Sequence, residues 1–477
     1  MNPRNFTLLL AFAASLILIG FVLSKRKATG PDAANDTEHS VAAEPTAAVG
    51  TVLLVALDGF RGDYLNPEDT PNLWNLLPQA AWSQQLTPPF PSLTFPSHVT
   101  LATGRSVSGH GIPSNQFYDA ETGVELRFPG DSSLLKAEPI WTAATRQGRR
   151  ALAYDWPLSH NQSGPFAAAY FEDRFDGTLS DADRVGRVLD LWAADPERAP
   201  GDPPLRLVTS YAKETDSVGH REGPDAPETR EAARRVDALL GEVIKRAISI
   251  FEATAEPGEQ LHFVFAADHG MTDVTHLVNI GLVLGEPLGE RILSSTSGNL
   301  ANLHLAEADT AETDAEALWQ QTEEAFAQVE GARVFRSETL PPQWSYPVEG
   351  RTGDRVVVLP KGYTFDRSAS VPVQPLSDSR GPRGMHGYPP DETPEMGGLL
   401  FLLRHPTPFE RTGDLGPVRS SQVHATISGF LGIAPSEGAE PRTVWEGFAD
   451  ETSPPNHRAW RSAHCFEFPL ARRELSD

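Results

Sequence analysis

Cysteine is almost missing from this 477-residue sequence: Cys465 stands alone. No intrachain disulfide can form and no thiolate cluster can hold a metal, so a metal centre would have to use His, Asp and Glu. Basic residues are also scarce, with 40 Lys and Arg against 64 Asp and Glu, a net charge of −24. So acidic a surface argues against a nucleic-acid duplex held through its phosphates. It leaves room for a small phosphate ester, because a bound cation reverses the field locally. The balance of 39% apolar and 22% charged residues is too polar for a polytopic membrane protein and too apolar for a disordered chain. The length suits one large domain or two ordinary ones.

The one long uncharged run lies at the start, FTLLLAFAASLILIGFVL over residues 6–23. It has the length of a short membrane span or of a signal-peptide core. Arg4 precedes it and Lys25-Arg26-Lys27 follows, where a cleavage site would carry small residues. Residues 1–27 are therefore predicted to be a signal anchor or signal peptide. Residues 28–49, rich in Ala, Pro and acids, are predicted to be a flexible tether reaching roughly 25 Å. Residues 50–450 would form the folded body and residues 451–477 a peripheral tail. The charges flanking the apolar run nearly balance, so they do not fix its orientation.

Within the body, four apolar runs read as strands buried on both faces: Thr51–Leu57, Leu205–Tyr211, Leu261–Ala267 and Leu399–Leu403. Helical periodicity lies between them. Asp181–Ala194 places Val185, Val188, Leu189 and Trp192 on one face, and 227–250 places Val236, Leu240, Val243 and Ile244 on another. Alternation of strand and helix predicts an α/β doubly wound, mostly parallel sheet with helices on both faces. The stretch near 340–395, rich in Pro and Gly, reads as loop with a small insertion.

Ligands in such sheets bind beyond the carboxyl ends of the strands. The first strand runs into Asp58-Gly59, the third into Asp268-His269-Gly270, and the second into AKETDSVGH, which carries Asp216 and His220. Asp216 and His220, four apart, share a helical face. Each piece alone is more often a turn or a surface pair. Their convergence at one sheet edge would bring carboxylates and imidazoles together without a thiolate, a set suited to zinc, manganese or iron. His386 in RGMHGYPPD, between Gly384 and Gly387, is a further candidate.

The stretch PPFPSLTFPSHVTLATG (residues 88–104) passes from a proline-studded loop into a helix with Pro96 in its first turn. Thr94 is placed just before the amino end of that helix, where the dipole favours an anion. It reads either as a helix cap or, beside a cation, as a nucleophile. Asn115 in HGIPSNQFYD is an uncharged donor that could hold an oxyanion.

Taken in order, LVALDGFRGDYL, TPNLWNL, FPSLTFPSHVTLATG, SGHGIPSNQFYD, AEPIWTAATRQG, ETDSVGHREGP, FAADHGMTDV and MHGY resemble the nucleotide pyrophosphatase/phosphodiesterase family of the alkaline phosphatase superfamily. The resemblance implies an alkaline-phosphatase-like fold and two zinc ions per chain. Asp58, Thr94, Asp268 and His269 would hold one ion, and Asp216, His220 and His386 the other. Thr94 would be the nucleophile, Asn115 would bind a phosphate oxygen, and Phe95 would flank the bound group. It further implies two in-line displacements through a phospho-threonine, a small phosphodiester substrate (a nucleotide or a lipid head group), and a membrane-anchored enzyme facing the periplasm or the exterior. Departures from the family pattern are Leu93 and Ser97 around the nucleophile, Lys213-Glu214-Thr215 before Asp216, and Leu158 after Trp156-Pro157.

Nucleotide-type substrates are the favoured reading. The alternatives are a phospholipid or choline-phosphate diesterase, a phosphomonoesterase, and an inactive zinc-binding domain. A sulfatase is set aside because Cys465, in AHCFEFP, lacks the sequence context that a formylglycine residue needs.

Overall fold

The protein is described by a computed structural model for residues 50–446, apart from Pro287, residues 307–311 and Ser379. The expected anchor, tether and tail therefore lie outside the described residues, as does Cys465. Among the described residues, no helix is long and apolar enough to cross a membrane.

The centre is a nine-stranded sheet. Its strands are β1 (Thr51–Leu57), β2 (Ala81–Thr87), β3 (Arg150–Ala153), β4 (Tyr170–Phe171), β5 (Leu205–Ala212), β6 (Leu261–Ala267), β7 (Gly398–His405), β8 (Gly413–Asp414) and β9 (Val418–Arg419). The order is β8-β2-β7-β6-β1-β5-β3-β4, with β9 also on β2. β1 lies between β5 and β6, parallel to both. Every residue of β1 and β6 is buried, which is why these strands read as predominantly apolar runs rather than as alternation.

Successive side chains of β1 face opposite layers. Leu53, Val55 and Leu57 join a core built with helices α3 (Asp181–Ala194) and α5 (Pro227–Glu252), through Val185, Val188, Leu189, Val236 and Leu240. Val52, Leu54 and Ala56 join another, built with α1 (Thr94–Thr103), α2 (Ile140–Arg146) and α6 (Ser421–Leu431), through Leu101, Trp141, Val423 and Ile427. Burying each Leu or Val side chain stabilises by about 1.5–3 kcal/mol, so the sheet is held from both sides. α3 begins at its expected residue because the Ser180 hydroxyl accepts from the Asp183 N–H, 3.1 Å away.

The fourth apolar run departs from the parallel reading. It lies in β7, which runs antiparallel to β6 with Leu400 opposite Ala266 and His405 opposite Leu261. An apolar run reports burial on two faces and says nothing of direction. The reversal places Gly398 beside the end of β6, where a Cβ would come within 2.4 Å of that of Ala267. The stretch near 340–395 is more ordered than loop. It supplies Arg355–Val358 to a four-stranded antiparallel sheet with Ile292–Ser297, Leu300–Leu305 and Arg333–Arg336.

Candidate metal centre and nucleophile

The edge where β1, β5 and β6 end gathers the acids predicted to meet there. Asp58 follows β1, and its N–H donates to the Ala212 carbonyl at 2.8 Å. Gly59 then turns with φ +62°, and a Cβ there would lie 2.9 Å from the Cα of Asp216. Only glycine lets this turn rest on that backbone. Asp216 and His220 sit one turn apart on α4 (Glu214–Glu222), with Oδ1 and Nε2 3.2 Å apart. Asp268 follows β6, and its Oδ1 accepts from the N–H groups of Gly59 at 3.1 Å and His269 at 2.8 Å.

His386 arrives from far along the chain. Its ring stacks on that of His269, with centroids 3.5 Å apart and planes 11° from parallel. Gly384 permits the approach, since a Cβ there would lie 2.5 Å from the Gly219 carbonyl oxygen on the helix that carries His220.

Two groups result, Asp58 with Asp268 and His269, and Asp216 with His220 and His386. Within each group, the possible ligand atoms lie within 4.8 Å of one another. Thr94 joins the first, its hydroxyl 3.4 Å from His269 Nε2.

The three imidazoles are oriented alike. Nδ1 of His220, His269 and His386 meets the carbonyls of Gly384 (2.7 Å), Gly270 (2.8 Å) and Ser92 (2.9 Å) respectively. Each Nδ1 must therefore donate, which leaves Nε2 as a lone pair turned inward, the usual arrangement of a metal-binding histidine. Nε2 of His220 and Nε2 of His386 face each other at 3.2 Å. Buried carboxylate oxygens without a hydrogen-bond partner point the same way: Asp58 Oδ1, Asp216 Oδ1 and Asp268 Oδ2. Lone pairs crowded together and short of protons fit cations. Hard oxygens and imidazoles without sulfur fit zinc, manganese or iron.

The protein's own charges are strained here. Burial, with the charges of Asp58 and Asp216, pushes the Asp268 carboxyl well above the carboxylate range. Burial also pulls the Asp58 carboxyl upward, but His269, 3.3 Å away, overrides it and holds the group low. Burial and the two neighbouring histidines hold His386 well below its ordinary value. Burial opposes protonation of His220 too, yet Asp216 overrides it and pushes that imidazole up to about 9. A cation between these groups would favour the ionised carboxylate of Asp268 and the neutral imidazole of His220.

Thr94 is the first residue of α1, not a residue before it, and Leu93 takes the capping position without a side-chain cap bond. Proline fits within a first turn because the N–H it lacks has no partner there, so the helix starts two residues ahead of Pro96. The hydroxyl of Thr94 is thus turned to His269 rather than spent on a cap. The Phe95 N–H donates to Asn115 Oδ1 at 2.8 Å. That contact fixes the amide and leaves its NH2 end as a donor.

Two contributors escape the sequence reading. The Tyr211 hydroxyl donates to Asp58 Oδ2, and buried His98 lies between the Thr94 carbonyl (2.8 Å) and Asp268 Oδ2 (3.2 Å). Their signals were the four-residue step from Thr94 to His98 and a hydroxyl-bearing aromatic at the end of an apolar strand. Among the departures, Leu93 is buried with Phe90, Val107 and Leu300. Lys213 directs its ammonium to the Gly177 carbonyl at 2.6 Å.

The chain is similar to known proteins over most of its length. A family model described as type I phosphodiesterase / nucleotide pyrophosphatase matches residues 52–389. A pyrophosphatase/phosphodiesterase of Schizosaccharomyces pombe is 28% identical over 414 residues, covering 80% of this chain and 77% of that protein. The human bis(5'-adenosyl)-triphosphatase ENPP4 is 24% identical over 80% of this chain and 78% of its own. The solved structure of murine ectonucleotide pyrophosphatase/phosphodiesterase 5, an inactive variant in complex with AMP, superposes with a TM-score of 0.67. It is 23% identical and covers 83% of this chain and 97% of that one.

Proposed function

The chain belongs to the type I phosphodiesterase / nucleotide pyrophosphatase family, and from that premise we propose that it cleaves nucleotide esters with two zinc ions through a phospho-threonine at Thr94. Hydrolysis of phosphodiester or pyrophosphate bonds is the activity of the family, and two groups of candidate ligands here suit the metal such enzymes need. The observation that carries the finer reading is the pair of ligand groups with the Thr94 hydroxyl 3.4 Å from His269 Nε2.

Asp58, Asp268, His269 and Thr94 would hold one ion, and Asp216, His220 and His386 the other. Bound zinc supplies positive charge to the phosphate oxygens and lowers the pKa of a hydroxyl it touches. The side chains do the rest. Thr94 Oγ1 attacks phosphorus, forming the threonine–phosphate bond as the bond to the leaving oxygen breaks. Water then attacks the phospho-threonine, which frees the acid product and restores the hydroxyl. The dipole at the amino end of α1 favours the anionic phosphate, and the Asn115 NH2 is a donor for a non-bridging oxygen.

Aromatic rings beside the site support a planar substrate group. Phe95 meets Phe128 edge to face with centroids 5.5 Å apart. Phe175 packs on Tyr211, which in turn bonds Asp58, with centroids 6.0 Å apart. Phe128 and Phe175 are 52% and 41% exposed, large for aromatic rings, and such faces suit stacking on a nucleobase. The name of the human relative, a bis(5'-adenosyl)-triphosphatase, points to the same class.

A turnover screen tests this reading with ATP, diadenosine triphosphate, a cyclic dinucleotide, lysophosphatidylcholine, glycerophosphocholine and a nitrophenyl monoester. The nucleotides are expected to give kcat/KM at least about tenfold above the choline esters and the monoester, a margin one stacked base can supply. Preference for a choline ester would replace the nucleotide reading with a lipid-type one. Preference for the monoester would make the protein a phosphomonoesterase.

A further inference from the structure

Leu158 holds a conformation that leucine avoids. Its φ is +63°, in the left-handed region where Cβ crowds the following carbonyl and only glycine sits freely. The side chain is fully buried. It joins Val99, Ile112 and Phe117 in a dry cluster, and Phe95 packs against that cluster. Val99 lies on α1, one turn beyond Phe95, so the cluster lines the helix face that carries the ring.

The loop around Leu158 is held from several sides. Asp155, also left-handed at φ +57°, is paired with buried Arg184 at 2.5 Å. The Trp156 indole N–H donates to the His98 carbonyl at 3.1 Å. Strain at Leu158 persists because these contacts hold the backbone of the loop in place.

We propose that Leu158 is a positioning residue for substrate binding. Its buried side chain props the Phe95 ring in the orientation that meets Phe128 at 65° and so presents a fixed aromatic face to the planar group of the substrate. This rests on the reading of Phe95 as a base contact.

The test compares thymidine 5′-(p-nitrophenyl) phosphate with methyl p-nitrophenyl phosphate, which has the same leaving group and no base. Wild type, Leu158→Gly, Leu158→Met and Phe95→Ala are assayed on both. Leu158→Gly is expected to raise KM for the thymidine ester about tenfold, the scale of a weakened stacking contact. Its kcat on that ester and its constants for the methyl ester should stay within about twofold, because only uniform binding is lost. Leu158→Met, which keeps the bulk, should restore KM. Should Leu158→Gly give no folded protein, Leu158→Ala carries the same expectation.

An unchanged KM in Leu158→Gly, with a raised one in Phe95→Ala, would overturn the role of Leu158 and leave the base contact standing. Equal loss of kcat on both esters would also overturn it, by showing a merely structural role. An unchanged KM in Phe95→Ala would remove the base contact and this proposal together.

Discussion

Thr94→Ala is expected to remove turnover, lowering kcat by about 10⁴-fold or more, with the metal content of the folded protein unchanged. The size follows from chemistry, since removing a nucleophile leaves only the binding and electrostatic contributions of the pocket. The selectivity of the loss follows from structure. Thr94 opens α1, where alanine is a good helix former, and its carbonyl contact with His98 is made by the backbone. The hydroxyl's contact is His269 Nε2 at 3.4 Å, so the mutation removes that hydroxyl and one methyl and little else. The six carboxylate and imidazole groups remain. Metal analysis alongside kcat checks this. Activity within tenfold of wild type would move the nucleophile elsewhere, and loss of bound metal together with activity would make Thr94 chiefly a ligand.

Asp216→Ala has the second largest expected effect. Asp216 Oδ1 lies 3.2 Å from His220 Nε2 and 3.6 Å from His386 Nε2. Its removal leaves two imidazoles facing each other without a carboxylate to balance a cation. About one metal equivalent should be lost, and at least about 10³-fold in kcat with it, since a two-metal clamp works on the attacking and the leaving oxygen together. The other group, Asp58, Asp268 and His269, has no ligand in common with this one and should keep its ion. The side chain of Asp216 is partly exposed, so folding survives, and a melting curve would confirm it. Retention of both ions at wild-type affinity would show that Asp216 is not a ligand.

How far the sequence reveals this arrangement depends on which physical signal each part leaves. β1, β5 and β6 are legible because burial on both faces demands predominantly apolar runs, interrupted only by Arg206, Thr209 and Ser210 in β5 and His262 in β6. Their parallel order then sends Asp58, Asp216, Asp268 and His269 to one edge. Asp216 and His220 are legible because a helix brings residues four apart together. The direction of β7 is not legible, since burial carries no sense of direction.

His386 was singled out for its flanking glycines and for the family resemblance, and no periodicity ties it to His269. Its place depends on the close approach of Gly384 to Gly219, a tertiary contact. Tyr211 holds Asp58 through a hydrogen bond, and His98 rests on the Thr94 carbonyl beside Asp268; such contacts with the candidate ligands leave at most a single residue step in the sequence. The placing of Thr94 missed by one residue because Pro96 marks a first turn without fixing which residue opens it.

Anomalous diffraction at the zinc edge, from crystals of the purified enzyme, tests the central claim most directly. Two peaks are expected, one among Asp58, Asp268, His269 and Thr94 and the other among Asp216, His220 and His386. A well-ordered pocket with no peak, or with zinc only at some other place on the chain, would contradict the two-cation reading and the role of Thr94 built on it.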